Sequence, residues 1–555
     1  MPMLLLLVAC GDVGVPLDPV APTETDAGVR GGAEADEFFD AAVLHELVVT
    51  LDPDDWAVLR EQARSYYDIL GEGCMEGPIE SPYTYFPATA SLDGEAMGEV
   101  GVRKKGLIGS VVPDRPSLKI DVGEYVDEQR FFGLEKLVFN NGRQDASRMR
   151  TCLAHDWFGD AGLVAPRCAL AHVVVNGEDL GIYAHTENID EELVARRTGE
   201  FAEAMYEGTL SDFREGWTAT FEYETKASTG AEIEAVKDAL STGDDGLLAA
   251  LDEVLDLDAF FTFWAAESIA GHWDGYNGNT NNFYAYNTAS EPRLRFVASG
   301  PDAAFDNRKA FGNGWVGTLS ALANRLFQHD EGRECFEAEL SRQLDENWEG
   351  ESRLAQLDAW AELVADHDDS SMREGIAATR VVLENREDDV RKGMARGADA
   401  GELRGDVCWQ TVGTVRVDFT TTWDSYPRGD LWTGGEAEVE YVIEGVAYPS
   451  TQDGVSAGTA DDGRALWLTI SEIAPGVYVA PYVLFDEEQL TDGAELQVDG
   501  DEAEAALLYW DQAATDTWET VAYLANGVLH FDTASTAAGA ELSGWLEVEV
   551  VGSGG

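Results

Sequence analysis

Cations are scarce in this chain, and where they gather sets the first chemical expectation. From Arg103 to Arg150 there are ten Lys or Arg residues (103, 104, 105, 115, 119, 130, 136, 143, 148, 150) against seven acids (114, 121, 124, 127, 128, 135, 145). That leaves a local positive excess in a chain with 105 acidic residues against 37 basic ones, net −68. A cationic island of this kind suits an anionic ligand such as a nucleotide phosphate. The same residues also read as surface cations paired with acidic neighbours. Sharper signatures are missing. There is no Gly-x-x-x-x-Gly-Lys-Ser/Thr and no His-Glu-x-x-His. Gly312-Asn313-Gly314-Trp315-Val316-Gly317 matches Gly-x-Gly-x-x-Gly but follows a polar, charged stretch rather than an apolar strand, so it reads as a loop. Gly454-Val455-Ser456-Ala457-Gly458 matches Gly-x-Ser-x-Gly, yet no helix follows it and it reads as a turn. The eight histidines form no triad, and no two cysteines are spaced Cys-x-x-Cys.

The elements that must position these residues follow from hydrophobic spacing. With 45% hydrophobic and 10% aromatic residues, the chain can bury more than one core. Residues 11–36 are rich in Pro, Gly and acid without periodicity and read as a disordered tether. Residues 43–51 read as a strand, and Pro53 opens a helix. Strands are expected at 89–92, 98–105 and 117–122, with a hairpin at Asp93-Gly94, and a helix over 147–158. Asn176-Gly177 between 170–175 and 180–185 predicts a second hairpin with a type I′ turn. From Ala231 the pattern turns helical: 257–272 is strongly apolar, and 319–396 carries several more helices. Residues 411–555 contain no Lys, alternate apolar with polar residues and predict an all-β sandwich.

A set of short motifs falls in a definite order along this framework. It runs through Gly101-Val102-Arg103-Lys104-Lys105-Gly106, Arg115-Pro116-Ser117-Leu118-Lys119-Ile120-Asp121, Phe132 to Asn141 and Asp145-Ala146-Ser147-Arg148-Met149-Arg150. It continues with Val175 to Tyr183, Glu187-Asn188-Ile189-Asp190, Asp274-Gly275-Tyr276, Asn282 to Tyr286 and Asp302-Ala303-Ala304-Phe305. The ordered set resembles the CotH family of kinase-like spore coat proteins. The resemblance implies an α+β fold: a kinase-like domain with a mixed N-terminal lobe and a helical C-terminal lobe, here over 37–400, followed by the β-sandwich-like domain. It implies ATP with Mg²⁺ or Mn²⁺ as cofactors and transfer of the γ-phosphate to protein hydroxyls. Lys119 would anchor phosphate, with Arg103 on the neighbouring strand as a second candidate, and Glu187 would contact the nucleotide. Asp274 would be the catalytic aspartate, and Asn282 and Asp302 would be metal ligands. Phosphoryl transfer needs cations on the phosphates, oxygen ligands for the metal and a carboxylate near the attacking hydroxyl, which is what these residue types offer. Taken singly, Lys119 and Arg103 also read as strand-surface cations, Glu187 as a surface carboxylate and Asp274 as a turn cap. The chain departs from the family twice. Ser299-Gly300-Pro301-Asp302 stands where the family has Trp-Asp-x-Asp, and Thr151 stands where a Glu is usual.

The N-terminus, MPMLLLLVACGD, resembles a bacterial lipoprotein signal over residues 1–10, with Cys10 as the lipidated residue. Its apolar run is too short to span a bilayer, so membrane attachment rests on the lipid. The expectation is an exported, envelope-located, lipid-anchored protein whose partner is an exported protein substrate or a cell-surface or coat protein. Its charge opposes nucleic acid. Two other readings stand beside the kinase. One is a catalytically inactive kinase-fold scaffold. The other is a calcium-dependent adhesin, weakened because no Asp-x-Asp-x-Asp-Gly loop occurs and Leu255-Asp256-Leu257-Asp258 reads as a helix start.

Overall fold

The structure, a computed structural model, describes residues 33–107, 112–306, 315–426, 434–460, 463–498, 503–515 and 517–553. The signal-like run with Cys10, most of the tether and Gly312-Asn313-Gly314 lie outside the described residues. The chain divides into two compact units. One holds residues up to 62 and 75–404, the other 63–74 and 405–555.

The first unit begins earlier than residue 37. A 3-10 helix, Ala33–Phe39, buries Ala35, Phe38 and Phe39, so the tether reading stops short of its last residues. Seven strands then close into a barrel: β1 (His45–Leu51), β2 (Phe86–Leu92), β3 (Glu95–Lys105), β4 (Ser117–Asp121), β5 (Lys136–Asn140), β6 (Cys168–Val175) and β7 (Glu178–Glu187). Their order is β1-β2-β3-β4-β5-β7-β6, and β1 meets β6 in parallel to complete the ring. Period-2 alternation sends Leu47, Val49, Val102, Leu118, Ile120 and Phe139 into one core. The turns are those the dipeptides require, with positive φ at Asp93 and Gly94 (54° and 83°) and at Asn176 and Gly177 (52° and 82°). The helix Pro53–Glu61 adds Trp56 and Leu59 to the barrel core. Lys104, fully buried on the apolar side of β3, carries its ammonium to the Arg60 carbonyl at the end of that helix, at 2.6 Å.

Beyond the barrel, the helix Arg150–Asp160 is joined to β6 by the disulfide Cys152–Cys168. A second sheet was not expected, and two of its four strands fall within the stretch from Ala231 that reads as helical. Its strands β8 (Ala202–Gly208), β9 (Glu222–Tyr223), β10 (Phe283–Thr288) and β11 (Arg295–Ala298) run in the order β11-β10-β8-β9. Every residue of β10 is buried, so it has no apolar-polar alternation to read from sequence. The apolar helix is Leu257–Ala270. Asp256 caps it by accepting from the Ala259 N–H, as the helix-start reading of Leu255-Asp256-Leu257-Asp258 requires, and Gly271 ends it at φ 63°. Helices Ala321–Gln328, Asp330–Glu346, Gly350–Leu363 and Ser370–Arg396 pack around it. Among the described residues, no helix is long and apolar enough to cross a membrane.

The second unit is all-β, but it is one hydrogen-bonded sheet rather than two. Its strands are β12 (Trp409–Thr422), β13 (Gly435–Ile443), β14 (Val446–Tyr448), β15 (Gln452–Thr459), β16 (Ala465–Ala474), β17 (Val477–Phe485), β18 (Glu495–Val498), β19 (Ala503–Asp511), β20 (Glu519–Thr533) and β21 (Glu541–Ser553). They follow the order β14-β13-β12-β21-β20-β18-β19-β17-β16-β15. The sheet curls so that end strand β15 reaches the end of β12: Thr421 Oγ1 donates to the Val455 carbonyl at 3.2 Å, and the Tyr426 N–H to Ala457 at 3.1 Å. Inside lie Val415, Val417, Phe419, Trp467, Phe531 and Leu546, while Glu436, Glu438 and Glu440 point outward. Ser456 of the Gly-x-Ser-x-Gly match is buried within β15, not on an exposed strand-to-helix elbow. The segment 63–74, which carries no sequence sign of belonging here, is tied to this unit by Cys74–Cys408.

Trp264 anchors the helical core of the first unit. It is fully buried, stacks on Phe336 with ring centroids 3.8 Å apart, and donates from Nε1 to the Gly317 carbonyl at 2.8 Å. Trp264→Ala is expected to cost about 3–5 kcal/mol through the cavity it leaves, read as a shift in the urea midpoint of the first unit.

Candidate functional site

The outer face of the barrel gathers the cations. Because β3 and β4 alternate, the residues flanking Val102, Leu118 and Ile120 point away from the core, and Arg103 lies directly opposite Lys119 in the ladder. Lys136 is brought alongside by the β4–β5 pairing. Lys105 shares the face of Arg103, opposite to Lys104, and its Nζ donates to Asn140 Oδ1 at 2.6 Å. Burial pushes Lys105 down to about 8, and Lys119 and Arg103 push the same way, while Asp302 and Glu207 pull against them. Lys119 is lowered as well, by burial and then by Lys136 and Arg103. Arg103 lies over the Tyr85 ring, 5.3 Å from its centroid, and donates to Ser81 Oγ at 3.3 Å.

Acids of the second sheet and its neighbouring loops face these cations. Glu207 on β8, Glu222 on β9 and Glu224 each offer a carboxylate oxygen within 4.8 Å of the others. Glu224 is pushed up to about 7 by burial and by the other two glutamates, with Lys119 and Lys136 opposing.

The loop after helix Leu257–Ala270 carries Asp274. It is folded back by Glu267, whose carboxylate accepts from the Tyr276 and Asn277 N–H groups at 3.1 Å each and from Asn277 Nδ2 at 2.6 Å. Asp274 accepts from Asn279 Nδ2 at 2.5 Å and from Asn282 Nδ2 at 2.9 Å, with Asn281 at 3.4 Å. Asn282 therefore points its amide nitrogen at Asp274, and its Oδ1 lies on the side of Gly300. A Cβ at Gly300, where φ is 50°, would stand 2.7 Å from that Oδ1. A side chain at this position, where the family carries its first aspartate, would require the Asn282 amide to move aside.

Asp302 completes the group from the short turn Pro301–Ala303. Burial, then the negative charges of Asp274 and Asp145, push it up to about 7, and Lys105 is the cation that counters them. Among the described residues, no side chain donates a hydrogen bond to it in the structure. A part-buried carboxylate beside two others is a setting in which a divalent cation fits, and Asp274, Asn282 and Asp302 supply the hard oxygens that Mg²⁺ or Mn²⁺ prefers. Behind it, Asp145 is held by the Ser147 and Arg150 N–H groups at 2.9 and 2.7 Å. Arg150 reaches Asp306 and Thr379, both at 3.1 Å, and so ties the loop to helix Ser370–Arg396.

Asp274, Asn282 and Asp302 thus come together, as do Lys119 and Arg103, and Lys105 connects the two groups electrostatically. Glu187 does not join them. It is buried, its carboxylate gripped by Arg167 Nη2 at 2.8 Å and by Arg196 Nε and Nη2 at 2.9 and 2.5 Å. Burial alone would raise it, but Arg196 and Arg167 hold it below the usual carboxylate range. It is neither a surface carboxylate nor one with oxygens to spare. Lys105, Glu207 and Asn279 were not singled out from sequence. The period-2 relation of Lys105 to Arg103 was a usable signal, whereas Glu207 lies on an unrecognised strand.

With this geometry in place, the comparisons with known proteins are specific. Residues 102–374 match the family profile described as "CotH kinase protein". The chain carries a CotH-family domain. Among curated relatives, the inner spore coat protein H of Bacillus subtilis is 22% identical over 242 residues, which is 40% of this chain and 65% of that protein. The chain therefore spans just under two thirds of this relative's length. Among solved structures, the Helicobacter pylori proinflammatory kinase CtkA aligns with 51% of this chain and 94% of its own, at 10% identity. The TM-score is 0.24, too low to support a statement about shared fold. The site residues Arg103, Lys105, Lys119, Asp274, Asn282 and Asp302 all fall inside the CotH-family stretch.

Burial pushes Glu267 up to about 8, against its three N–H donors. The native chain then keeps a proton that the unfolded chain releases in the ordinary carboxylate range. This contribution is full at low pH and is lost as pH rises toward 8. Glu187, held low by its arginines, acts oppositely and loses its contribution only as pH falls through the acid range. Chemical denaturation between about pH 5 and 9 is expected to show stability declining toward the alkaline end. Glu267→Gln should flatten that slope, at a cost of about 1–3 kcal/mol from the donor it turns toward an N–H.

Proposed function

We propose that this chain is an exported, lipid-anchored CotH-like protein kinase that transfers the ATP γ-phosphate to Ser or Thr hydroxyls of exported proteins. The observation that carries the reading is the opposition of Lys105, Lys119 and Arg103 on the barrel to Asp274, Asn282 and Asp302 on the loops beyond helix Leu257–Ala270. In this reading the barrel cations hold the triphosphate, and Asn282 and Asp302 hold Mg²⁺ or Mn²⁺. The bound metal would supply charge neutralisation between the phosphoryl oxygens. Asp274, raised by burial and oriented by Asn279 and Asn282, accepts the proton of the attacking hydroxyl. Lys105, already depressed by burial and like charges, gains most from an incoming phosphate, because the ligand replaces repulsion with attraction.

Export is supported by the disulfides Cys74–Cys408 and Cys152–Cys168, which suit an oxidising compartment, and by the coat location in the relative's name. Lipidation at Cys10 is tested by fatty-acid labelling in cells, where Cys10→Ser should abolish the label.

A second reading, an inactive kinase-fold scaffold of a cell surface or coat, is favoured by one observation. Gly300 replaces the family's aspartate, and Asn282 Oδ1 occupies the space beside it. Transfer from labelled ATP with Mg²⁺ or Mn²⁺ decides between the two. Wild type should label itself or an added protein, and Asp302→Ala, Lys119→Ala and Lys105→Ala should each lose about 10²–10³-fold, the usual cost of one charge-stabilising group. ATP binding without transfer selects the scaffold. No binding at millimolar ATP overturns the kinase reading.

A further inference from the structure

A second group of ligand-type side chains lies away from the cleft, where the barrel meets the helices. His172 stands on the outer face of β6, and Asp179 stands in β7, just past the Asn176-Gly177 turn. His367 arrives from the connection between helices Gly350–Leu363 and Ser370–Arg396. His172 Nε2 is 2.7 Å from Asp179 Oδ1, and the two imidazole rings lie 4.3 Å apart by centroid, tilted by 36°. One ligand atom from each of the three residues falls within 4.8 Å of the others.

A plain ion pair accounts for His172 and Asp179 but not for a second imidazole brought to the same point from a distant part of the chain. Burial acts on Asp179 in the raising direction. The Gly181 N–H, at 2.8 Å, and the two histidines outweigh it and hold the carboxylate below its usual range. His367 is itself flanked by Asp366 and Asp368, with Arg373 paired to Asp368 at 2.7 Å. Asp179 and His367 are exposed, so their side chains are free to turn inward.

We propose that His172, Asp179 and His367 bind a divalent transition-metal ion of the Zn²⁺ class, with water completing the coordination. Two imidazoles and one carboxylate suit Zn²⁺, Co²⁺ or Ni²⁺ and are a poor set for Mg²⁺ or Ca²⁺. Metal–ligand bonds of about 2.0–2.1 Å ask the three ligand atoms to close in by roughly an ångström, within the reach of side-chain rotation. The bound ion would staple the β6–β7 hairpin to the helical connection and so fix the barrel against the helices of the same unit. The proposal is independent of phosphoryl transfer, since it shares no residue with the cleft.

The test uses the full chain after chelator treatment, with Co²⁺ as the optical probe and Zn²⁺ as competitor. Wild type should develop the visible d–d band of a four- or five-coordinate cobalt site at one equivalent, bleached by Zn²⁺, and Zn²⁺ should raise its unfolding midpoint. His367→Ala and His172→Ala should lose the band and weaken Zn²⁺ binding at least tenfold, whereas Asp302→Ala should retain both. Because His367 is exposed, its replacement leaves the fold intact, which circular dichroism verifies. A cobalt spectrum that is absent in wild type, or identical in wild type and His367→Ala, overturns the proposal.

Discussion

Asp302 is part-buried beside Asp274 and Asp145, and Lys105 is the cation that pulls against their combined charge. This repulsion is the constraint around which the first unit is arranged. Like charges in a site of reduced dielectric cannot all ionise without a compensating cation. The barrel presents Lys105, Lys119 and Arg103 on one strand face, but the first two are themselves depressed by burial and mutual repulsion. Each wall of the cleft is therefore strained by its own charge and relieved by the other. A metal on the acidic side and a phosphate on the basic side would relieve both further, which is why the arrangement reads as a site rather than as a set of ion pairs.

Such a cluster persists only where its supports are firm. Glu267 folds the Asp274 loop onto the end of a fully buried helix through three N–H donors. Arg150 joins Asp145 and Asp306 to Thr379 on the long helix. Glu187, expected in the site, instead serves as the buried counter-ion of Arg167 and Arg196, and losing one partner of such a buried pair costs far more than the pair contributes. The supporting residues are thus as polar as the site itself.

Part of the strong negative charge lies in the second unit. Its rolled sheet keeps apolar residues inside and places acids on alternate outward positions, as at Glu436, Glu438 and Glu440. Such a surface keeps the unit hydrated and repels other polyanions.

Local signals in the sequence determined a good deal. Residue type marked β1, β3 and β4 as strands, Asp93-Gly94 and Asn176-Gly177 marked the β2–β3 and β6–β7 hairpins, and Leu255-Asp256-Leu257-Asp258 marked the start of the buried helix. The order of motifs pointed to the CotH-family stretch, and with it to Lys119, Arg103, Asp274, Asn282 and Asp302. Only the tertiary structure decided which of these meet. Strand period puts Lys105 on the face of Arg103 and Lys104 on the other, but only the structure shows that one reaches Asn140 and the other a helix carbonyl. The strand β10 was illegible because burial on both faces erases the period on which strand reading depends. The role of Glu187, the placement of 63–74 with the β unit and the approach of His367 to His172 all rest on long-range contacts. These are set by the packing of whole elements, and a single sequence carries no local trace of them.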